Sequence, residues 1–164
     1  MTKAARTVLE DCRSAVAELT AETSASTWRR RWVASVVLLR AVGHVLSKVD
    51  SEASRAHHEV IGAWWNGIKA SKPAPEIFWL LIEQERNSIL KEYQSLAVQK
   101  LTTTVAAFDL NSGKRVEAKA PSVSATIDTG HFKGQSQREL LEEAIRWWEK
   151  QLEEIDASVV ERAP

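Results

Sequence analysis

The stretch from Trp32 to Leu46, WVASVVLLRAVGHVL, does most to limit what this chain can become. It is apolar on nearly every face of a helix, interrupted only by Arg40 and His44 one turn apart. A helix apolar all round must be enclosed, by lipid or by other protein segments. Its 15 residues are short for a bilayer, and hydrocarbon would penalise both Arg40 and His44. It is therefore expected as the central helix of a soluble bundle, with no membrane span. A buried arginine needs a carboxylate or carbonyl partner, and Glu83 or Glu85 in a later apolar helix would serve.

At 164 residues the chain is large enough for a single core in one domain. Its 22 Lys+Arg balance 22 Asp+Glu, so no long-range pull toward phosphate comes from net charge and nothing points to DNA. Cys12 is the lone cysteine, which excludes an intramolecular disulfide and fits a reducing, cytoplasmic setting. The N-terminal MTKAARTVLEDCRSAVAEL has Glu10, Asp11 and Arg13 where a signal peptide needs an uninterrupted apolar core.

Helical spacing runs through the first hundred residues. A first helix is expected from about Ala4 to Ala21, with Val8, Cys12, Ala15, Val16 and Leu19 on one face. A second follows Ser26 as N-cap, and a third follows Ser51 and ends near SKPAP. Pro75 suits the first turn of a fourth, PEIFWLLIEQERNSILKEYQSLAVQK. After Lys100, LTTTVAAFDL and KRVEAKA flank the turn Asn111-Ser112-Gly113 and read as a hairpin, and 119–135 then reads as loop or a short third strand around Ala125 to Asp128. Ser136 and Glu139 form a capping box that opens a last helix, with Leu140, Leu141, Ile145, Trp148, Leu152 and Ile155 inward. The fold class is mainly α: a bundle of four or five helices with a small β-hairpin inserted before the last. Within one domain, 1–100 forms the bundle, 101–135 the hairpin and loop, and 136–157 the C-terminal helix.

Most candidate chemistry is excluded by spacing. His44, His57, His58 and His131 include no Glu-x-x-His, and adjacent His57 and His58 diverge on a helix, so no metal or cofactor is expected. There is no Gly-x-Ser-x-Gly elbow and no glycine-rich phosphate loop. The tryptophans fall as Trp28/Trp32, Trp64-Trp65 and Trp147-Trp148, with Trp79 apart, and their first reading is core and interface packing. A sharper reading sets Arg29, Arg30 and Arg31 beside Trp28 as phosphate contacts and a stacking face for single-stranded RNA. Arg40, His44, Glu83 and Glu85 are grouped as a structural ion pair or site.

The fourth helix carries the one motif that suggests a function. In FWLLIEQERNSILKEY, Arg86 and Tyr93 fall within about 20° on an ideal helix, and Asn87 and Lys91 are one turn apart. This segment resembles the signature helix of HEPN-domain proteins, a family of α-helical bundles. Their pattern is Arg, a polar residue that is often Asn, a short spacer and His, extended by Tyr in a toxin branch. Arg86, Asn87 and Tyr93 match, whereas Lys91 stands at the histidine position. The likeness covers this helix only, and the family pattern does not include the hairpin.

The resemblance implies RNA handling in a homodimer, often within toxin–antitoxin or defence systems, and in many members metal-independent cleavage. Arg86, Asn87, Lys91 and Tyr93 would then line the site. A lysine stabilises a phosphorane but does not titrate near neutrality as histidine does, so weak or no ribonuclease activity is expected. His44 or His58 from a neighbouring helix would be the substitute in space. The competing reading is a non-catalytic homo-oligomeric scaffold with tryptophan-lined interfaces.

Overall fold

The computed structural model describes residues 1–19, 24–102 and 122–162. Five α-helices and two strands occur among them: α1 (Lys3–Ala17), α2 (Ala25–Lys48), α3 (Arg55–Ala70), α4 (Gln84–Glu92), β1 (Ala97–Thr102), β2 (Ser122–Ile127) and α5 (Gln137–Arg162). The chain is mainly helical, as its periodicity predicts.

Helix α2 is the axis. Trp32, Val36, Leu39, Val42 and Leu46 are fully buried along it, and α1, α4 and α5 all pack on it. By length and composition Ala25–Ala53 is apolar enough to cross a membrane, with mean hydropathy 1.4. In this fold its stripe of large side chains is enclosed by protein. The centre of the core is aromatic, with Trp32, Phe78 and Trp148 completely inaccessible. Gly43 makes this possible: a Cβ there would lie 3.0 Å from Trp148 Cη2 and 3.3 Å from Arg40 Nη1. Burying three such rings is worth several kcal/mol, at roughly 25 cal/mol per Å² of apolar surface.

The helix starts are set by serines, shifted slightly from their expected places. Ser24, rather than Ser26, caps α2 by accepting from the Thr27 N–H at 3.3 Å. Ser54 caps α3 through the His57 N–H, because Asp50–Ala53 forms a 3₁₀ turn where the sequence suggested helix. That turn frees Asp50 to accept from the Ala4 and Ala5 N–H groups at 3.0 and 2.8 Å, capping α1 from far along the chain. Ser136 caps α5 as expected, through the Glu139 N–H. Helix α5 continues to Arg162, beyond the expected end.

The fourth helical stretch departs most from expectation. Ile77–Glu83 is π-helical, and it turns Ile77, Phe78, Leu81 and Ile82 all into the core. It runs into α4, which stops at Tyr93 in the left-handed conformation (φ 53°), with the Gln94 N–H returning to the Ser88 carbonyl. Ala97–Lys100, expected as helix, are therefore strand.

Strands β1 and β2 pair antiparallel, from Ala97 opposite Ile127 to Thr102 opposite Ser122. Every pair in this register is equidistant in sequence from Ser112, the centre of the expected Asn111-Ser112-Gly113 turn. That turn, with most of LTTTVAAFDL and all of KRVEAKA, lies outside the described residues. β2 takes the place of the short strand expected around Ala125 to Asp128. Beyond it the chain returns through Gly134 (φ 85°), whose N–H reaches the Ile127 carbonyl at 2.8 Å.

Candidate functional site

Arg40 and His44 project from α2 toward the helical stretch that holds Glu83, Arg86 and Asn87. The Arg40 Nε donates to Glu83 Oε2, and its guanidinium lies 5.7 Å from the centroids of both Trp65 and Phe78. Asn87 Nδ2 donates to the other Glu83 oxygen at 3.3 Å. Asn87 Oδ1 accepts from Arg86 Nη1, and Arg86 Nη2 lies 3.4 Å from His44 Nε2. The result is a polar ridge running from buried Arg40 through Glu83, Asn87 and Arg86 to exposed His44. A guanidinium only donates, so this contact needs the bare nitrogen of a neutral imidazole at Nε2.

The electrostatics support that state. Partial burial lowers the His44 pKa from its ordinary 6.5, and the positive charges of Arg40 and Arg86 push it in the same direction. For Glu83, burial alone would raise the carboxyl. The charge and hydrogen bond of Arg40, the Asn87 amide and the charge of Arg86 outweigh that and hold it below its ordinary 4.5. Arg86 itself has no carboxylate within ion-pairing distance among the described residues, so its cation is not neutralised by direct pairing. No matching family model, curated protein or solved structure is found for this chain. The likeness of Phe78–Tyr93 to the HEPN signature thus rests on the sequence of that segment.

The expected site residues separate into three places. Arg86 and Asn87 join His44, Arg40 and Glu83 on the ridge. Lys91 lies past Asn87, where both line an open groove of about 340 Å³ beside α4. Tyr93, at the end of the helix and 71% exposed, makes no hydrogen bond or ring contact with either. Glu85 is a correction. Two residues from Glu83, it faces the opposite side, fully buried, and accepts from Trp32 Nε1 (2.9 Å), Ser95 Oγ (2.7 Å) and the Leu96 N–H (3.1 Å). It holds α2, α4 and the entry to β1 together and takes no part in the ridge.

The proposed stacking face at the start of α2 is also corrected. Trp28 is buried and stacks on Trp32 at 6.1 Å between centroids, so no base can reach it. Arg31 bonds the Glu18 carbonyl at 2.6 Å and Arg30 the Thr27 hydroxyl at 3.3 Å, leaving Arg29 exposed and, among the described residues, without a hydrogen bond or ion pair. Fifteen residues of helix, about 22 Å at 1.5 Å per residue, separate Arg29 from His44, so these arginines are no part of the ridge.

All seven tryptophans are buried or half-buried against one another and the core, including Trp147 and Trp148 at 4.7 Å. Cys12 is equally inert: burial, only partly offset by Arg13, pushes its thiol up to about 12. Among the described residues no cluster of His, Cys, Asp or Glu has the composition of a metal site. The direct contact of His44 with Arg86 was hidden from the sequence, although the spacing of Arg40 and His44 placed both on one face of α2.

Proposed function

We propose that this chain is a HEPN-like helical protein that binds single-stranded RNA at the α2/α4 ridge, with slow or no ribonuclease activity. One observation carries the reading: Arg86, a cation without an ion-paired carboxylate among the described residues, lies 3.4 Å from a histidine whose surroundings keep it neutral. A guanidinium in this state offers its free N–H groups to a phosphate. The neutral imidazole beside it is a proton acceptor for a 2′-hydroxyl. The histidine absent from the signature position is thereby supplied from α2 within the same chain.

No second group of histidine-like basicity adjoins the pair among the described residues. Delivery of a proton to the departing 5′-oxygen then falls to water, which is why cleavage is slow. A homodimer, as the resemblance implies, would set two ridges near one strand. The contact proposed here needs only one chain.

The test is fluorescence anisotropy with a labelled single-stranded RNA over a salt series. Arg86→Ala is expected to weaken binding about tenfold and to lower the magnitude of the salt slope by about 0.7, the share of one phosphate contact. Affinity and slope unchanged by the substitution would overturn the proposal. Gel analysis of the same RNA after long incubation reads any cleavage, which should disappear in His44→Ala.

A further inference from the structure

The groove beside α4 borders the ridge directly, because Glu83 and Asn87 line both. Its character differs from that of the ridge. On one side stands the Trp79 indole, fixed by donation from Nε1 to the Ile68 carbonyl at 3.3 Å, with the Lys72 ammonium 4.8 Å from its ring centroid. Along the same helical face, Gln84, Ser88 and Lys91 follow Trp79 as a stripe at helical spacing. None of these three side chains has a hydrogen-bond or ion-pair partner among the described residues. Side-chain amides and hydroxyls beside an aromatic wall are what a flat, neutral ring with a polar edge requires.

From this we infer that the groove is a nucleobase subsite: it seats a base of the strand whose phosphate lies on Arg86. The inference rests on the RNA reading of the ridge and adds to it the part of the nucleotide that the ridge does not touch. The volume of about 340 Å³ admits one base with its ribose, and the groove is open enough for a strand to pass through. Gln84 and Ser88 meet the base edge, and the Trp79 ring supplies the stacking surface once the flexible Lys72 side chain swings off it. Lys91 meets the neighbouring phosphate. Base identity would be read by the amide and hydroxyl, as amides read adenine in other nucleic acids.

The experiment compares a labelled single-stranded RNA with an oligonucleotide of equal length and phosphate count made of abasic ribose units. Wild type should bind the RNA about tenfold more tightly than the abasic strand, in line with stacking of one base. Gln84→Ala/Ser88→Ala, at an exposed and a half-buried position whose side chains have no partner among the described residues, should narrow that ratio severalfold. Trp79→Leu should narrow it further if circular dichroism shows it folded. Arg86→Ala should weaken both ligands alike and keep the ratio. Equal wild-type affinity for the two strands overturns the subsite and leaves the ridge standing. A base preference that survives Gln84→Ala/Ser88→Ala overturns the subsite as placed here. A base preference that persists with Arg86→Ala having no effect on either strand supports the subsite and overturns the ridge. Binding of neither strand overturns both.

Discussion

Two sides of the C-terminal half of α2 serve different purposes, and the difference is one of leftover charge. Just beyond its C-terminus, Asp50 is consumed by the first-turn N–H groups of α1. Nearby, Asp156 on α5 accepts from the Thr2 N–H at 2.7 Å and from Arg6 Nη2 at 2.8 Å. Together they clasp the start of α1 to the rest of the bundle. On the α4 side of the same helix, Arg40 is likewise consumed by Glu83, but among the described residues Arg86 meets only an amide and an imidazole. A clasp uses up its charges in closing the fold. The ridge ends in a cation that the fold has not used, and such a cation is free to hold a ligand anion. Glu85, two residues from Glu83, belongs with the clasp by this criterion.

Substitutions can break that contrast. The largest effect is expected at Glu85. Glu85→Ala leaves the Trp32 N–H, the Ser95 hydroxyl and the Leu96 N–H without their acceptor, at a cost of about 3 kcal/mol by chemical denaturation. Asp50→Ala removes two caps from a buried helix start and should cost about 2 kcal/mol without altering RNA affinity. If it weakened RNA binding while the protein stayed folded, the separation of clasp from ridge would fail.

Acid should act on the clasp only at low pH, after the ridge. The folded Asp156 pKa lies below its ordinary 3.8 because Arg6 and the Thr2 N–H outweigh burial. Its contribution is complete above 3.8 and is lost as pH falls through the folded value, so Asp156→Asn should flatten that part of a stability–pH curve. His44 has the opposite chemistry and the same sign. Its folded pKa lies below 6.5, so under that pH the unfolded chain takes up a proton that the folded chain resists. Stability should fall as pH drops from 6.5, and His44→Asn should remove this smaller slope.

The sequence carried the helices well because apolar residues at helical spacing are a property of the chain itself. Every large residue read as inward on α5, from Leu140 to Ile155, is buried. The end of α4 was less legible. Neither Gly nor Pro follows Glu92, and it is Tyr93 in a left-handed conformation that stops the helix, so Ala97–Lys100 read as its continuation. For Arg40's partner, periodicity offered both Glu83 and Glu85. Two residues are about 200° apart on a helix, so only one of them can face α2 on that side. The meeting of His44 with Arg86 depends on how two helices cross, which no local spacing encodes.

The most direct test measures two quantities on one variant. Arg86→Ala should leave stability to chemical denaturation within about 0.5 kcal/mol of wild type, since among the described residues no carboxylate is ion-paired to it and Glu83 keeps Arg40 and Asn87, while single-stranded RNA affinity falls about tenfold. A variant that loses stability but binds RNA as wild type does would make Arg86 part of the clasp, and the central claim would be wrong.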